Sequence, residues 1–293
     1  EYRQANKNSF FISDLSINKF IEGNSEGHVF ANLKGDTNDL NYEINLESVN
    51  NDSYFKSNKI QTALVDNPTL LNSYINIEKS DDENYFYSSV EVYEDLTKSR
   101  NDRYEYIYPN YLLSKVFNIG KNKNLPLEFT SEGFQKKYDT NVDETIIVND
   151  INFNSKSKVL SSGLVNNIEF LLRNVNTNSK NSSTYKENTH HEILSTILFK
   201  SKYPLVKESK KTKKLLSPIF KARYSPNKTK NISDEDRVIN YDNIFLMDRL
   251  NKNDLVEGGQ SLTYGFDYQI LDKSNNKSII DLGIAQVITD NEN

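Results

Sequence analysis

The residues best placed to do chemistry in this sequence form one charged, glycine-terminated cluster: Asp248, Arg249, Asp254, Glu257, Gly258 and Gly259. Acidic and basic side chains at this spacing can pair. Such pairs hold a loop in one geometry when partly buried and much less well when exposed. Gly258-Gly259 supplies the conformational freedom for a turn into whatever follows. The plainer alternative is an ordinary surface loop that ends in a Gly-Gly turn. The functional reading is a loop folded over or into the mouth of a larger structure and fixed by its Asp/Arg pairs, and no catalytic residue is expected in either case.

Other candidate chemistry is sparse. Lys207, Lys210, Lys211, Lys213 and Lys214 make a basic run suited to phosphates or anionic headgroups, or simply a solvated turn. His190 and His191 are adjacent, and neighbouring side chains on a strand point to opposite faces, so they do not share a metal easily. With three His and no Cys, no metal site and no cofactor are expected. Neither a nucleophile elbow, a P-loop nor a dinucleotide fingerprint occurs. Pro109 and Pro218 stand inside strand-like runs, where proline removes a ladder donor. They read as bulges that set curvature, with a weakened seam as the functional alternative.

The elements that would carry these residues are strands. Leu262, Tyr264, Phe266, Tyr268 and Ile270 alternate with Ser261, Thr263, Gly265, Asp267 and Gln269. The same period of two runs through 40–47, 71–78, 85–92, 167–173 and 280–285. Weaker strands are expected over 9–20, 27–34, 54–65, 104–118, 125–137, 145–153, 190–203 and 214–225. Polar clusters at 35–39, 79–84, 121–124 and 273–277 separate them as hairpin turns. No helical stripe stands out. The expected fold is all-β: an antiparallel meander of roughly 12–16 strands, in one domain over 1–293, as part of a large transmembrane barrel.

Composition limits the alternatives. Apolar residues are 36% of 293, and mean hydropathy is -0.71, which excludes a helical membrane protein. It does not exclude a barrel, whose strands alternate lipid-facing and lumen-facing residues. The 18 Tyr and 15 Phe argue against disorder. Net charge is -5, and no basic stripe marks a nucleic-acid partner. Alternation alone also fits a soluble sheet with one wet face. Two features favour the bilayer. Several runs reach 9–13 residues, and Tyr2, Tyr54, Tyr104, Tyr106, Tyr108, Tyr203 and Tyr224 fall near strand ends, as interfacial girdles would. The chain starts at Glu1 without a leader and ends at Asn293 without a terminal aromatic residue, and both ends read as cuts through a longer protein.

An ordered set of segments then carries a resemblance. It comprises the strand 215–226 with Pro218 and Pro226, the acidic Ile232-Ser233-Asp234-Glu235-Asp236, Asn243 to Leu250 with its Asp-Arg, the Asp254-Leu255-Val256-Glu257-Gly258-Gly259 run, and Ser261 to Tyr268 with Thr-Tyr-Gly. Upstream stand Tyr106-Ile107-Tyr108-Pro109-Asn110-Tyr111 and Lys202-Tyr203-Pro204-Leu205. This order resembles the C-terminal barrel of the LptD family of lipopolysaccharide-assembly proteins, most closely over 190–290 and in single motifs from 104. The resemblance implies a Gram-negative outer-membrane transporter that inserts lipopolysaccharide into the outer leaflet, and it favours a structural, capping-loop role for Asp248, Arg249, Asp254, Glu257, Gly258 and Gly259. It implies as partners lipopolysaccharide, a lumen-plugging lipoprotein of the LptE kind, periplasmic bridge proteins reached through a domain outside this segment, and membrane lipids. The family's inter-domain disulfides cannot form within a segment that lacks Cys. A generic porin or receptor barrel, and a soluble β-rich surface or carbohydrate-binding protein, are the competing readings.

Overall fold

The computed structural model describes residues 1–19, 25–99, 101–120, 125–228, 238–250 and 252–290. The acidic segment 232–236, the turn 121–124 and Asn251 lie outside the described residues.

The strands are β1 (Tyr2–Ala5), β2 (Ser9–Lys19), β3 (Ser25–Thr37), β4 (Leu40–Val49), β5 (Leu70–Ser80), β6 (Asn84–Asp95), β7 (Tyr104–Ile119) and β8 (Leu125–Tyr138). They continue with β9 (Val142–Asn154), β10 (Lys158–Val159), β11 (Val165–Lys180), β12 (Asn188–Lys202), β13 (Leu205–Glu208), β14 (Thr212–Ser225), β15 (Gly259–Asp272) and β16 (Ser278–Thr289). Among the described residues these form one 16-stranded sheet whose order follows the sequence, with β10 beside β11 and β13 beside β14. Consecutive strands pair antiparallel, as in β2–β3, β5–β6 and β15–β16. This is the meander expected of a barrel segment. Many strands exceed ten residues, whereas soluble strands centre on about five or six.

What decides between wet sheet and membrane wall is which face is buried. On β14, Ser217, Ile219, Lys221, Arg223 and Ser225 are buried, while Phe220 is 42% and Tyr224 50% exposed. On β15, Ser261 and Thr263 are buried, while Leu262 and Tyr264 between them are exposed. The polarity is inverted relative to a soluble sheet. Ile193, Ile197 and Phe199 on β12 and Ile280, Leu282, Ile284 and Ile288 on β16 extend the exposed apolar face. A soluble monomer rarely tolerates contiguous apolar surface beyond a few hundred Å². A lipid-facing wall requires it.

Two prolines face each other's strands. Lys202 lies opposite Ile219 and Leu205 opposite Leu216, so Tyr203-Pro204 and Ser217-Pro218 fill equal intervals with no slip. β12 and β13 are therefore one strand path, interrupted where Pro204 offers no donor. The Tyr203 amide still donates to the Pro218 carbonyl at 3.0 Å. Pro218 also sits in unbroken register opposite Phe266. Pro109 differs: it falls at the register shift where β7 passes Ser89 and Glu91 of β6.

Two compact units divide the chain. The first comprises 1–115, 130–149 and 176–191, and the second the rest. The first corrects one expectation. Residues 54–65 do not form a strand: Tyr54–Asn58 is a short helix, α1, and the chain then runs irregularly to β5. The reason lies in the side chains. Tyr54 and the next residue, Phe55, both pack on one cluster with Phe30, Val49, Leu71 and Leu96, which consecutive positions of a strand cannot do. Tyr54 is almost wholly buried, with its hydroxyl 2.7 Å from His28 Nδ1, so it belongs to this core and not to an interfacial girdle. Beside the cluster, a polar ladder lines the inner face. Asn32 Nδ2 donates to Glu43 at 2.8 Å, Asn45 Nδ2 to Glu47 at 2.9 Å, and the Tyr74 hydroxyl to Glu43 at 2.7 Å.

Candidate functional site

In the second unit, the long connection between β14 and β15 does not stay at the strand ends. Its described part, 238–250 and 252–258, runs along the buried polar face. The Tyr241 hydroxyl donates to the Asp267 carboxylate. Asp267 lies eight residues into β15 from Gly259, roughly 26 Å along the strand. The Tyr241 ring also rests on Gly283 of β16, where any Cβ would collide with it.

An irregular segment buried this way carries backbone carbonyls that no ladder satisfies, and each needs a donor. Arginine, with five N–H groups and no acceptor, suits that task. Arg173 on β11 donates from Nη1 to the carbonyls of Lys252 (2.6 Å) and Leu255 (2.7 Å), and from Nη2 to Asp150 of β9 at 2.7 Å. Arg223 on β14 donates from Nε to the Met247 carbonyl at 2.9 Å and from Nη2 to the Glu257 carbonyl. Arg249, from the loop itself, donates from Nε to Glu257 Oε2 at 2.7 Å and from Nη2 to Ser261 Oγ at 3.3 Å. The buried Ile244, Leu255 and Val256 add an apolar contribution. The loop is thus pinned from two strands and braced by its own ion pair.

Most of the cluster singled out from the sequence meets here. Asp248 stands 3.4 Å from Arg173 Nη1 and accepts the Leu250 amide at 3.2 Å. Arg249 and Glu257 meet as an ion pair. Gly259 has a positive φ of 77° and opens β15, and Gly258 before it is buried. Asp254 is half-buried and takes no part in these pairs. Pro109 and Pro218 are not brought to this cluster: Pro109 lies on β7, and Pro218 is exposed. The strand arginines Arg173 and Arg223, with Asp150, escape a reading of motifs. The signal that could have found them is parity. Arg173 shares a face with Asn167 and Glu169, and Arg223 shares one with Lys221 and Ser225, so both are lumen positions.

Chemically, the arrangement offers anchoring and charge. No group of three His, Asp or Glu side chains among the described residues could hold a metal ion. The basic run contributes one exposed pair, with Lys207 opposite Lys214 near the short turn before β14.

A sequence model of the family described as LptD, LPS transport system D, matches residues 24–292. The match extends upstream of the region in which individual motifs resemble that family. No curated protein matches the chain.

Proposed function

The chain belongs to the LptD, LPS transport system D, family, and from that premise we propose that residues 1–293 are a stretch of one outer-membrane barrel domain that delivers lipopolysaccharide to the outer leaflet. The single observation that carries the barrel part of this reading is the inverted wall, and the family match supports the lipopolysaccharide part. β14 buries Lys221 and Arg223 on one face and exposes Phe220 and Tyr224 on the other. An amphiphile crossing between aqueous and lipid phases needs a polar route for its sugars and an apolar one for its acyl chains, and such strands offer both. The step is transport, so the roles of Asp248, Arg249, Glu257, Gly258 and Gly259 are structural: they hold a loop inside the lumen. Asp254, half-buried, lies on the same loop. Pro109 sets curvature at a bulge, and Pro218 removes a ladder donor from an otherwise regular seam. The partners are lipopolysaccharide, a lipoprotein plug, periplasmic bridge proteins and the surrounding lipids.

A generic porin accounts for the wall equally well, and a complementation experiment separates the two. The full-length protein is expressed in Gram-negative cells depleted of their own lipopolysaccharide transporter. The expected result is recovery only with detergent, together with restored surface lipopolysaccharide. Membrane-inserted protein that leaves surface lipopolysaccharide unrestored would overturn the transport reading. Release from washed membranes without detergent would overturn the barrel.

A further inference from the structure

Within the stretch covered by the pinned loop, the inner face of the second unit holds an arrangement that sheets normally avoid. Lys200 of β12 and Lys221 of β14 are register partners, directly opposite on adjacent antiparallel strands. Their Cα atoms are therefore about 4.5–5.5 Å apart, with both side chains on one face. Like charges so placed repel and destabilise the pair. Lys207 and Lys214 also face each other, but both are exposed, where water screens them. Lys221 is only 5% exposed and is covered by the Phe245 ring of the loop, 5.7 Å from its ammonium.

Among the described residues, the carboxylates nearby do not balance the pair. Glu169 acts on Lys221 electrostatically while it accepts a hydrogen bond from Asn167. Asp267 is engaged by Lys202 at 3.5 Å and by Tyr241. At this level Lys200, Lys202 and Lys221 face Glu169 and Asp267, an excess of positive charge among the described residues. Further along the same face, Arg173, Arg223 and Arg249 are matched by Asp150, Asp248 and Glu257. Yet Arg223 Nη1 and Arg249 Nη1 are buried donors with no hydrogen-bond partner among the described residues. The surplus of charge and the surplus of donors lie on the same face.

We propose that Lys200 and Lys221, with Lys202 beside them, form a lumenal binding site for a phosphate group. Two ammonium groups from adjacent strands converge on one tetrahedral anion, and a phosphate has oxygens to spare for a further donor such as Arg223, where a carboxylate has only two. Lys200 and Lys202 are half-buried, while Lys221 is buried beneath the Phe245 ring. Placing a glycolipid phosphate here rests on the transport reading above; the phosphate chemistry itself does not.

The test uses the full-length protein purified in detergent, with inorganic phosphate as the probe in calorimetric titration. Saturable binding is expected, weakened about tenfold or more by Lys200→Gln and by Lys221→Gln. Lys207→Gln and Lys214→Gln leave it unchanged, and acetate does not compete. Lys200→Arg and Lys221→Arg, which keep the charge, retain binding and guard against variants that fail to fold, as judged by heat-modifiable gel mobility. Absence of saturable phosphate binding overturns the inference. So does binding indifferent to both Gln changes, or displaced equally by acetate. A second arm compares a phosphorylated lipid A-type glycolipid in mixed micelles with its dephosphorylated form. A preference for the phosphorylated form, lost with Lys221→Gln, assigns the site to the transported lipid. Phosphate binding without that preference keeps the site for free phosphate and removes its role in transport.

Discussion

Replacing Arg173 by Met should open the lumen loop while leaving the wall intact. Arg173 donates to two loop carbonyls, those of Lys252 and Leu255, and pairs with Asp150, and both its side chain and that of Asp150 are about nine-tenths buried. Hydrogen bonds from a charged donor contribute about 1.5–3 kcal/mol each. Losing the two loop bonds therefore costs the closed state about 3 kcal/mol at the low end. The orphaned Asp150 adds to this, because opening the loop lets water reach a carboxylate that otherwise stays buried without its partner. About 3 kcal/mol corresponds to roughly a hundredfold in the opening equilibrium. Hydrogen exchange of the amides in 247–256, measured in nanodiscs, reads that equilibrium directly. Protection there should fall by about two orders of magnitude, while amides of β14 and β15 change little. Arg173→Lys keeps one charge but cannot reach Asp150 and both carbonyls together, so it should fall between. Protection of 247–256 unchanged within about threefold in Arg173→Met would refute the claim that strand arginines hold the loop.

Other contacts set further expected outcomes. Phe220→Lys puts a charge on the exposed apolar face of β14 and should cost about 2–4 kcal/mol near the bilayer midplane, read by equilibrium folding into lipid vesicles; a neutral result would remove that face from the lipid. Tyr54→Phe loses only the hydroxyl contact to His28 and should cost about 1 kcal/mol, whereas Tyr54→Ala empties the core cluster and should cost about 3–5 kcal/mol; thermal unfolding distinguishes them, and equal losses would put Tyr54 outside that core. Burial, followed by the hydrogen bond to Asp267, holds the Tyr241 phenol above its usual range. Its anchoring contribution is therefore complete below the unfolded value of about 10 and is lost as pH rises toward the folded value. In a difference titration of phenolate absorbance, Tyr241→Phe should remove one late-titrating tyrosine; loss of an ordinary one would refute the anchor.

Much of the wall is legible in the sequence because a strand has a period of two. Leu262 and Thr263, or Phe220 and Lys221, declare their faces by alternation alone, and the register then sets each face against its neighbour's. Residues 54–65 mislead because their apolar spacing fits a short strand, and only the cluster around Phe30 requires Tyr54 and Phe55 to turn the same way. In the loop, the Arg249–Glu257 ion pair is visible as a motif, since both partners are near in sequence. Arg173 is not: its loop partners lie some eighty residues away, and no local pattern encodes a carbonyl that needs a donor. The Lys200–Lys221 juxtaposition is hidden for the same reason, because it depends on the β12–β14 register.

The uninterrupted register across Pro204 and Pro218 has a consequence for how this wall can vary. Because Lys202 and Leu205 keep step with Ile219 and Leu216 through the gap, the chain behaves there as a two-letter code read by parity. Swapping one lipid-facing aliphatic residue for another leaves the code intact. Deleting a single residue at Tyr203-Pro204 would turn every later position of β13 over, sending Leu205 inward and Val206 outward. Length changes inside these strands are therefore tolerable in pairs of residues and disruptive singly.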